Sequence, residues 1–168
     1  YELLNDPDAL GIVLNYPNQN QKNLIDSKVE LIHRPTENAN STTPCVGFIG
    51  AGNYASRILI PAFKESGAIL DTIVSSGGIS GVHYGIKNEF NSASTDTQDL
   101  WDNDRINTVS IVTRHDSHSK QVIDALNSAK NVFVEKPLAL TSNELNEIDE
   151  AYHKANKIKN VRLMIGFN

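Results

Sequence analysis

From Val46 onward, short apolar runs alternate with segments of helical periodicity, and this alternation constrains the fold more than any other feature. The predicted strands are Val46–Ile49, Ile69–Val74, Thr108–Val112, Asn131–Val134 and Arg162–Ile165. The predicted helices are Tyr54–Glu65, Gly81–Phe90, Asp99–Asp102, Ser117–Ala129 and Thr141–Asn156. Strands that are separated by helices pair in parallel, with helices on both faces of the sheet. The sequence therefore predicts an α/β fold with a doubly wound, mostly parallel sheet.

Three local signals set the predicted helix boundaries. Pro61 lies inside the first helical segment and is expected to end or kink it, because proline lacks a backbone N–H. Ser117 is a candidate N-cap for the helix that runs to Ala129. Thr141-Ser142-Asn143-Glu144 forms a capping box that starts a helix to about Asn156.

Residues 1–44 differ in composition from the rest and form a predicted N-terminal extension. Short strands are predicted at 10–14 and 29–32. Residues 35–44 are rich in Asn, Ser, Thr and Pro, a composition typical of linkers. We therefore place the domain boundary near residue 44, with the folded domain covering 45–168.

Composition and charge exclude several classes of protein. The chain has 168 residues, 39% of them apolar, which argues against wholesale disorder. Its net charge of −5 argues against a nucleic acid or an anionic membrane as the main partner. No apolar run approaches the roughly 18 residues that a bilayer span requires. Cys45 is the single cysteine, which rules out an intramolecular disulfide and fits a reducing, cytoplasmic compartment; no metal site is predicted.

A glycine-rich turn follows the first strand of the predicted domain. Gly50-Ala51-Gly52-Asn53-Tyr54-Ala55 fits the G-x-G-x-x-G/A fingerprint of dinucleotide-binding folds. The first glycine permits a tight turn, the second lets a pyrophosphate approach the backbone, and Ala55 supplies the small third residue. The anion then lies over the amides at the helix N-terminus. The alternative is an ordinary glycine-rich turn between a strand and a helix.

The end of the second strand selects the ribose in such folds. An acidic residue there would favour NAD, but the strand ends in Ser75-Ser76, and Asp71 falls inside the strand. The serine hydroxyls can donate to a 2′-phosphate, which favours NADP slightly and leaves NAD open. A plain polar turn is the alternative interpretation.

Lys136 is the candidate catalytic residue. It directly follows a predicted strand, so it emerges at the carboxyl edge of the sheet, where ligands of open α/β sheets bind. A lysine there can donate to a substrate oxygen and stabilise the charge that develops on it during hydride transfer. An isolated lysine is more often a solvated surface charge, so this position alone does not decide the function.

Four motifs together resemble the Gfo/Idh/MocA family, the relatives of glucose-fructose oxidoreductase and inositol dehydrogenase. In order and spacing they are Gly47-x-Ile49-Gly50-x-Gly52, Thr113-x-x-x-x-His118, Glu135-Lys136-Pro137-Leu138-Ala139 and Gly166-Phe167-Asn168. The resemblance covers about residues 46–168. It implies a Rossmann domain that binds NAD(H) or NADP(H), and a C-terminal domain that holds a sugar or cyclitol and supplies the acid/base histidine.

The resemblance also implies residue roles. Lys136 would position the reacting hydroxyl near the nicotinamide, and Glu135 would lie beside the nicotinamide ribose. Many members carry Pro and Asn where this sequence has Arg114 and His115, so both are candidates for contact with the cofactor or an anionic substrate. The predicted cofactor-binding residues at this edge are Thr113, Arg114, His115, His118, Glu135 and Lys136. A structural histidine at a helix start, satisfied by backbone groups, is the alternative for His118.

Two expectations concern the protein beyond this domain. The C-terminal substrate domain is absent, so the chain alone is expected to bind cofactor without turnover, while the full-length protein is expected to form a homo-oligomer. Tyr1-Glu2-Leu3-Leu4 and residues 10–14 are similar to the C-terminal end of zinc-type medium-chain alcohol dehydrogenases. That likeness implies a fusion of two dehydrogenase-like modules.

The predicted function is hydride transfer between a nicotinamide and a sugar, cyclitol or sugar derivative. A non-catalytic sensor that binds a dinucleotide is the first alternative, although a sensor has no need of Lys136. A Rossmann-like methyltransferase is the second, but such enzymes lack the Glu-Lys-Pro motif after a later strand.

Overall fold

A seven-stranded sheet forms the centre of the computed structural model, which describes residues 26–32 and 43–167. Its strands are β1 (Lys28–Glu30), β2 (Cys45–Ile49), β3 (Ile69–Val74), β4 (Ser92–Ser94), β5 (Thr108–Ile111), β6 (Asn131–Val134) and β7 (Leu163–Ile165). They lie in the order β1-β4-β3-β2-β5-β6-β7. All neighbours pair in parallel except β1 and β4, which are antiparallel. The predicted α/β fold with a mostly parallel sheet is confirmed.

Helices connect the parallel strands. They are α1 (Ile60–Glu65), α2 (Ile79–Asn88), α3 (Gln98–Trp101), α4 (His118–Asn127) and α5 (Ser142–Ile158). A π-helical turn (Ala55–Leu59) leads into α1 without a break, and a 3₁₀ turn (His115–Ser117) leads into α4. Among the described residues, none of these helices is long and apolar enough to cross a lipid bilayer.

Two apolar cores lie on the two faces of the sheet. Successive β2 residues point to opposite faces, so Phe48 belongs to one core and Ile49 to the other. On one face, Phe48 packs edge-to-face against Phe63, with ring centroids 5.3 Å apart. On the other face, helices α4 and α5 pack against each other and contribute Leu126 and Ile148. Helices on both faces make the sheet doubly wound, as predicted.

The strand order creates a crevice beside β2. From β2 the chain proceeds to β3 on one side, and it later returns to β5 on the other side. Connections therefore diverge at the carboxyl ends of β2 and β5. In open parallel sheets this switch point is where ligands bind.

Strand β4 was not predicted from the sequence. It reads Ser-Ala-Ser and so lacks the apolar run that marks the other strands. Its serines are nevertheless buried, and their hydroxyl groups have partners. Ser92 Oγ lies 3.0 Å from Thr72 Oγ1, and Ser94 Oγ donates to Asp99 Oδ2 at 2.5 Å. Hydrogen bonds satisfy the two buried hydroxyl groups, while Ala93 between them packs in the core.

Pro61 does not end its helical segment, so the first of the two predicted outcomes, an end or a kink, is not observed. The helix continues to Glu65, and the irregularity takes the form of the π-helical turn directly before the proline. In that turn the Ile60 N–H donates to Ala55 O, five residues back. A wider turn is a recognised way to place a residue without an N–H inside a helix.

The capping expectations had opposite outcomes. The capping box at α5 is confirmed, since Thr141 Oγ1 accepts from the Glu144 N–H and Glu144 Oε2 accepts from the Thr141 N–H. Ser117 stands at the N-cap position of α4, as predicted, but its side chain makes no capping hydrogen bond. Its hydroxyl donates to Arg114 O at 2.7 Å within the 3₁₀ turn, a local hydrogen bond that competes with capping.

The strand predicted at 29–32 is observed as β1, and it forms an edge of the same sheet. Lys28 lies opposite Ser94, and Glu30 lies opposite Ser92. The strand predicted at 10–14, the alcohol-dehydrogenase-like segments and most of the predicted linker lie outside the described residues. The assignment of 1–44 to a preceding module therefore stays a prediction.

Candidate active site

The first glycine of the turn after β2 lies against the end of β5. Gly50 has φ = 107°, and a Cβ atom there would lie 2.2 Å from Val112 O. Its N–H donates to Val74 O at 2.8 Å, which fixes the turn to β3 as well. Only glycine fits this position, because the backbone conformation and the close approach both exclude a side chain.

The second glycine of the turn borders open space. No described heavy atom outside its chain neighbours lies within 4 Å of a Cβ built on Gly52. Helical residues begin at Asn53, and Gly52 O accepts from the Ser56 N–H at 2.9 Å. The first-turn amides have no intrahelical acceptor, so they are available to an anion. Ala55 is fully buried and supplies the small packing residue that the fingerprint requires.

Two adjoining cavities meet at this turn. The larger, of about 710 Å³, lies between the ends of β2, β3 and β5, and the smaller, of about 330 Å³, lies toward the end of β6. Gly52, Val112 and Thr113 line both cavities. A dinucleotide has two nucleotide halves joined by a diphosphate, so its shape matches two cavities that meet at a glycine turn.

The larger cavity contains hydroxyl groups and one arginine. Ser75 and Ser76 line it as predicted, together with Ser80 from α2 and Arg114. The Ser75 hydroxyl accepts from the Gly81 N–H at 3.0 Å, so it already serves the first turn of α2. Asp116 is the one carboxylate among the described residues that line this cavity.

Asp71 lies away from this cavity, as its position inside β3 predicted. Its side chain is 3% exposed and forms a salt bridge of 3.0 Å with Arg105. Asn91 and Asn103 each donate a further hydrogen bond to its carboxylate. This carboxylate is therefore already paired. It lies near the amino-terminal ends of the parallel strands, which we call the amino edge of the sheet. The described residues contain no group of three or more His, Cys, Asp or Glu side chains placed to hold a metal ion.

The side chains that follow β5 line both cavities. Arg114 lines the larger one, whereas His115 lines the smaller one beside Lys136. The Thr113 hydroxyl donates to Gln121 Oε1 at 2.7 Å and lies 2.8 Å from Ser117 Oγ. The hydrogen bond to Gln121 holds the segment against α4, so the side chains of Arg114 and His115 project from a backbone anchored to that helix.

Lys136 and Glu135 form the wall of the smaller cavity. The Glu135 N–H donates to Ile111 O at 3.0 Å, which continues the pairing of β6 with β5. Lys136 is exposed, and its ammonium makes no hydrogen bond or ion pair with any residue that the structure describes. The peptide bond between Lys136 and Pro137 is cis. The lysine is thus free to meet a ligand.

Tyr54 connects the glycine turn to this wall. Its hydroxyl lies near the Glu135 carboxylate, and burial, followed by that carboxylate, raises the pKa of Tyr54 above its usual value. A Cβ on Gly166, after β7, would lie 2.7 Å from Glu135 Oε1, so the glycine leaves room for the carboxylate. Glu135 therefore has a defined position between these two residues.

His118 lies beneath the smaller cavity. It is fully buried, with Nδ1 2.8 Å from Pro137 O and Nε2 3.2 Å from Thr113 O. Both ring nitrogens thus face backbone carbonyl groups, as the structural alternative for this histidine predicted. The structure brings the predicted residues of the glycine turn, β5 and β6 to one edge of the sheet.

Sequence reasoning missed several residues of the larger cavity. Besides Ser80, they are Thr95, Thr97 and Gln121. Thr95 directly follows β4, so recognition of that strand would have placed it at the carboxyl edge by the same rule that identified Lys136. Gln121 carries no such signal, because it lies one turn into α4.

Comparisons with known proteins agree with this geometry. The model of the Gfo/Idh/MocA oxidoreductase family, with its NAD-binding Rossmann fold, matches residues 45–166. Oxidoreductase P35 of Formosa agariphila is 32% identical over 111 residues, which are 66% of this chain and 35% of that protein. The 1,5-anhydro-D-fructose reductase of Ensifer adhaerens is 28% identical over 109 residues, 65% of this chain and 33% of that protein.

A solved structure shows the same fold. The crystal structure of GenD2 from gentamicin A biosynthesis, in complex with NAD, superposes with a TM-score of 0.67 at 19% identity. The superposition covers 74% of this chain and 34% of that one. This chain spans about a third of the length of the curated relatives that it matches. The likeness of its N-terminal residues to alcohol dehydrogenases stays a prediction, whereas from residue 45 onward the chain belongs to the Gfo/Idh/MocA family of oxidoreductases.

Proposed function

We propose that this chain is the dinucleotide-binding domain of an NAD(P)-dependent oxidoreductase that acts on a carbinol carbon of a sugar, cyclitol or sugar derivative. The observation that carries the proposal is the open space at Gly52, which borders the same cavity as the Lys136 ammonium; that ammonium has no partner among the described residues. Family membership supports the cofactor class. The name of the related 1,5-anhydro-D-fructose reductase supports a sugar-like substrate.

The glycine turn would hold the diphosphate. Gly52 has room for it, and the amides of Asn53 and Tyr54 lie in the first helical turn, where N–H groups and the helix dipole favour an anion. The adenosine half then belongs in the larger cavity and the nicotinamide half in the smaller one. A bound nicotinamide supplies the hydride acceptor or donor.

Lys136 would act on the substrate oxygen. Its ammonium lies at the carboxyl edge beside the proposed nicotinamide position and donates to the hydroxyl or carbonyl oxygen of the reacting carbon. Negative charge that develops on that oxygen is stabilised by the fixed positive charge. Glu135 lines the same cavity as Lys136 and would accept from hydroxyl groups of the nicotinamide ribose.

The larger cavity favours NADP(H) over NAD(H). Asp71, the carboxylate inside β3, is committed to Arg105 at the other edge of the sheet. Arg114 lines the same cavity as Ser76 and Ser80, and a guanidinium with hydroxyl groups suits a phosphate ester. We therefore propose that a 2′-phosphate binds near these three residues.

Other features of the complete protein are also proposals. The resemblance implies a C-terminal substrate domain with its own acid/base histidine, a homo-oligomer and a cytoplasmic location. It also leaves the dinucleotide-binding sensor as the alternative function. Turnover that depends on Lys136 would separate the enzyme from the sensor.

A thermal-unfolding titration with NAD(H) and NADP(H) tests the cofactor assignment. A ligand that binds only the native state stabilises it by about 2.7 kcal/mol at a hundredfold excess over Kd. We expect stabilisation by both cofactors, with NADPH effective at the lower concentration. An unchanged unfolding temperature with all four nucleotides would contradict the assignment.

Two glycine variants give this titration a matched control. Gly52→Val should fold normally, because the added side chain enters open space, yet it should abolish stabilisation by the nucleotide. Gly50→Ala should lower the unfolding temperature without ligand, because its Cβ meets backbone atoms. Nucleotide binding that survives Gly52→Val would place the diphosphate elsewhere.

A further inference from the structure

His118 connects the two strand ends that form the smaller cavity. Its Nδ1 lies 2.8 Å from the carbonyl oxygen of Pro137, which follows β6. Its Nε2 lies 3.2 Å from the carbonyl oxygen of Thr113, which follows β5. The ring is fully buried at the first residue of α4.

The chemistry of imidazole assigns different roles to the two contacts. A neutral imidazole carries one N–H, so only one of its nitrogens can donate to a carbonyl group. The contact to Pro137 is the shorter of the two, which assigns the proton to Nδ1. Nε2 then faces Thr113 without donating.

This hydrogen bond secures the backbone next to Lys136. On the upstream side, the Glu135 N–H donates to Ile111 O at 3.0 Å, so pairing with β5 holds that residue. On the downstream side, the carbonyl group of Pro137 is held by His118. The lysine therefore lies between two fixed points, although its own ammonium has no partner among the described residues.

The geometry points to His118 as a positioning residue that sets where Lys136 stands relative to the end of β5, by donating Nδ1–H to the Pro137 carbonyl. It does not touch the reacting atoms. This inference rests on the proposed function, because the position of Lys136 matters only if the lysine meets a ligand. It predicts that the donor at Nδ1 is needed and that the nitrogen at Nε2 is dispensable.

Two conservative variants separate the two nitrogens. The amide nitrogen of asparagine lies about where Nδ1 stands, so His118→Asn keeps the donor to Pro137. The amide nitrogen of glutamine reaches toward the position of Nε2, so His118→Gln keeps only the contact to Thr113. Both variants lose the ring, so a role in packing alone would affect them similarly.

The readout is the NMR signal of Lys136 after reductive ¹³C-methylation, assigned with Lys136→Arg. We expect the signal to keep its wild-type position in His118→Asn and to shift in His118→Gln, while the signal of the exposed, remote Lys87 stays unchanged in both. We also expect the Kd for NADPH to stay within about twofold in His118→Asn and to rise about fivefold in His118→Gln, the size of one lost hydrogen bond. Equal behaviour of the two variants would overturn the inference.

Failure of this inference is distinguishable from failure of the proposed function. If wild-type protein is not stabilised by any nicotinamide nucleotide, the proposed function fails. If the nucleotide binds and the two variants behave alike, only the role of His118 fails. Should either variant not fold, the ¹⁵N shifts of His118 in the wild-type protein decide: protonation at Nδ1 supports the inference, and a neutral ring protonated at Nε2 overturns it.

Discussion

Polar residues lie at both ends of the parallel strands, the amino edge and the carboxyl edge of the sheet, but they have different partners at the two ends. At the amino edge, Asp71 is 3% exposed and accepts from Asn91, Asn103 and Arg105. At the carboxyl edge, Lys136 is exposed and has no such partner among the described residues. Polar groups that satisfy one another hold elements together, whereas polar groups left free at a strand end are available to a ligand.

The carboxyl edge borders cavities of about 710 Å³ and 330 Å³, so cavity volume does not by itself identify the binding site. The amino edge borders a cavity of about 450 Å³, which is larger than the cavity of about 330 Å³ beside Lys136. Its lining includes Asp71 and Arg105, which are already paired with each other. The functional assignment therefore depends on uncommitted side chains and on the open glycine turn, both of which belong to the carboxyl edge.

The largest expected effect on stability is at the amino edge. Asp71→Ala should lower the free energy of unfolding by about 3–5 kcal/mol, because it leaves the donors around a buried carboxylate without their acceptor. Urea denaturation followed by circular dichroism measures the change. A loss below about 1 kcal/mol, the range of ordinary surface changes, would show that this cluster does not hold the fold.

Lys136→Gln should lower turnover and leave the stability nearly unchanged, whereas Asp71→Ala should lower the stability. In the protein that carries the complete substrate site, turnover should fall by about 10²–10⁴-fold, the usual contribution of a group that assists proton transfer. The unfolding free energy should stay within about 0.5 kcal/mol of wild type, because the ammonium is exposed. Lys87→Gln, on the exposed surface of α2, is the control and should change neither quantity. Unaltered turnover in Lys136→Gln would favour the sensor.

A smaller effect is expected from pH at the amino edge. Burial, and then the neighbouring Asp71 carboxylate, raises the pKa of the Cys45 thiol to about 11. The folded state keeps this proton longer than the unfolded state does, so the stability contribution is present below pH 9 and is lost as pH rises toward 11. A pKa difference of this size corresponds to a loss of about 2–3 kcal/mol in the free energy of unfolding.

A cysteine variant isolates this contribution, because burial lowers the pKa of Lys130 and so affects the pH dependence of stability with the opposite sign. Unfolding free energies of wild type and Cys45→Ala are compared from pH 8 to pH 11. The wild-type protein should lose more stability than the variant over this interval. Parallel curves would show that Cys45 does not remain protonated longer in the folded state.

The carboxyl edge was more predictable from sequence than the amino edge, because its signals are local. The glycine turn and the Glu135-Lys136-Pro137 motif each follow an apolar strand directly, so the strand pattern places them. The cluster around Asp71 draws its partners from loops 20 and 32 residues further along the chain. No periodicity indicates such contacts.

The remaining differences also have physical causes. Strand β4 is held by hydrogen bonds of Ser92 and Ser94 and lacks the apolar signature. Ser117 makes no capping hydrogen bond, because its hydroxyl donates to Arg114 O within the 3₁₀ turn that precedes α4. The two contacts of His118 join residues that follow different strands, so only the folded structure could show them.

An NMR titration of ¹⁵N-labelled protein with NADPH tests the contrast between the two edges most directly. We expect the amide signals of Gly52, Asn53, Tyr54 and Lys136 to shift and saturate together, while those of Asn91 and Asn103 stay in place. Shifts confined to Asn91 and Asn103, or no shifts at saturating nucleotide, would contradict the claim that the carboxyl edge binds the dinucleotide.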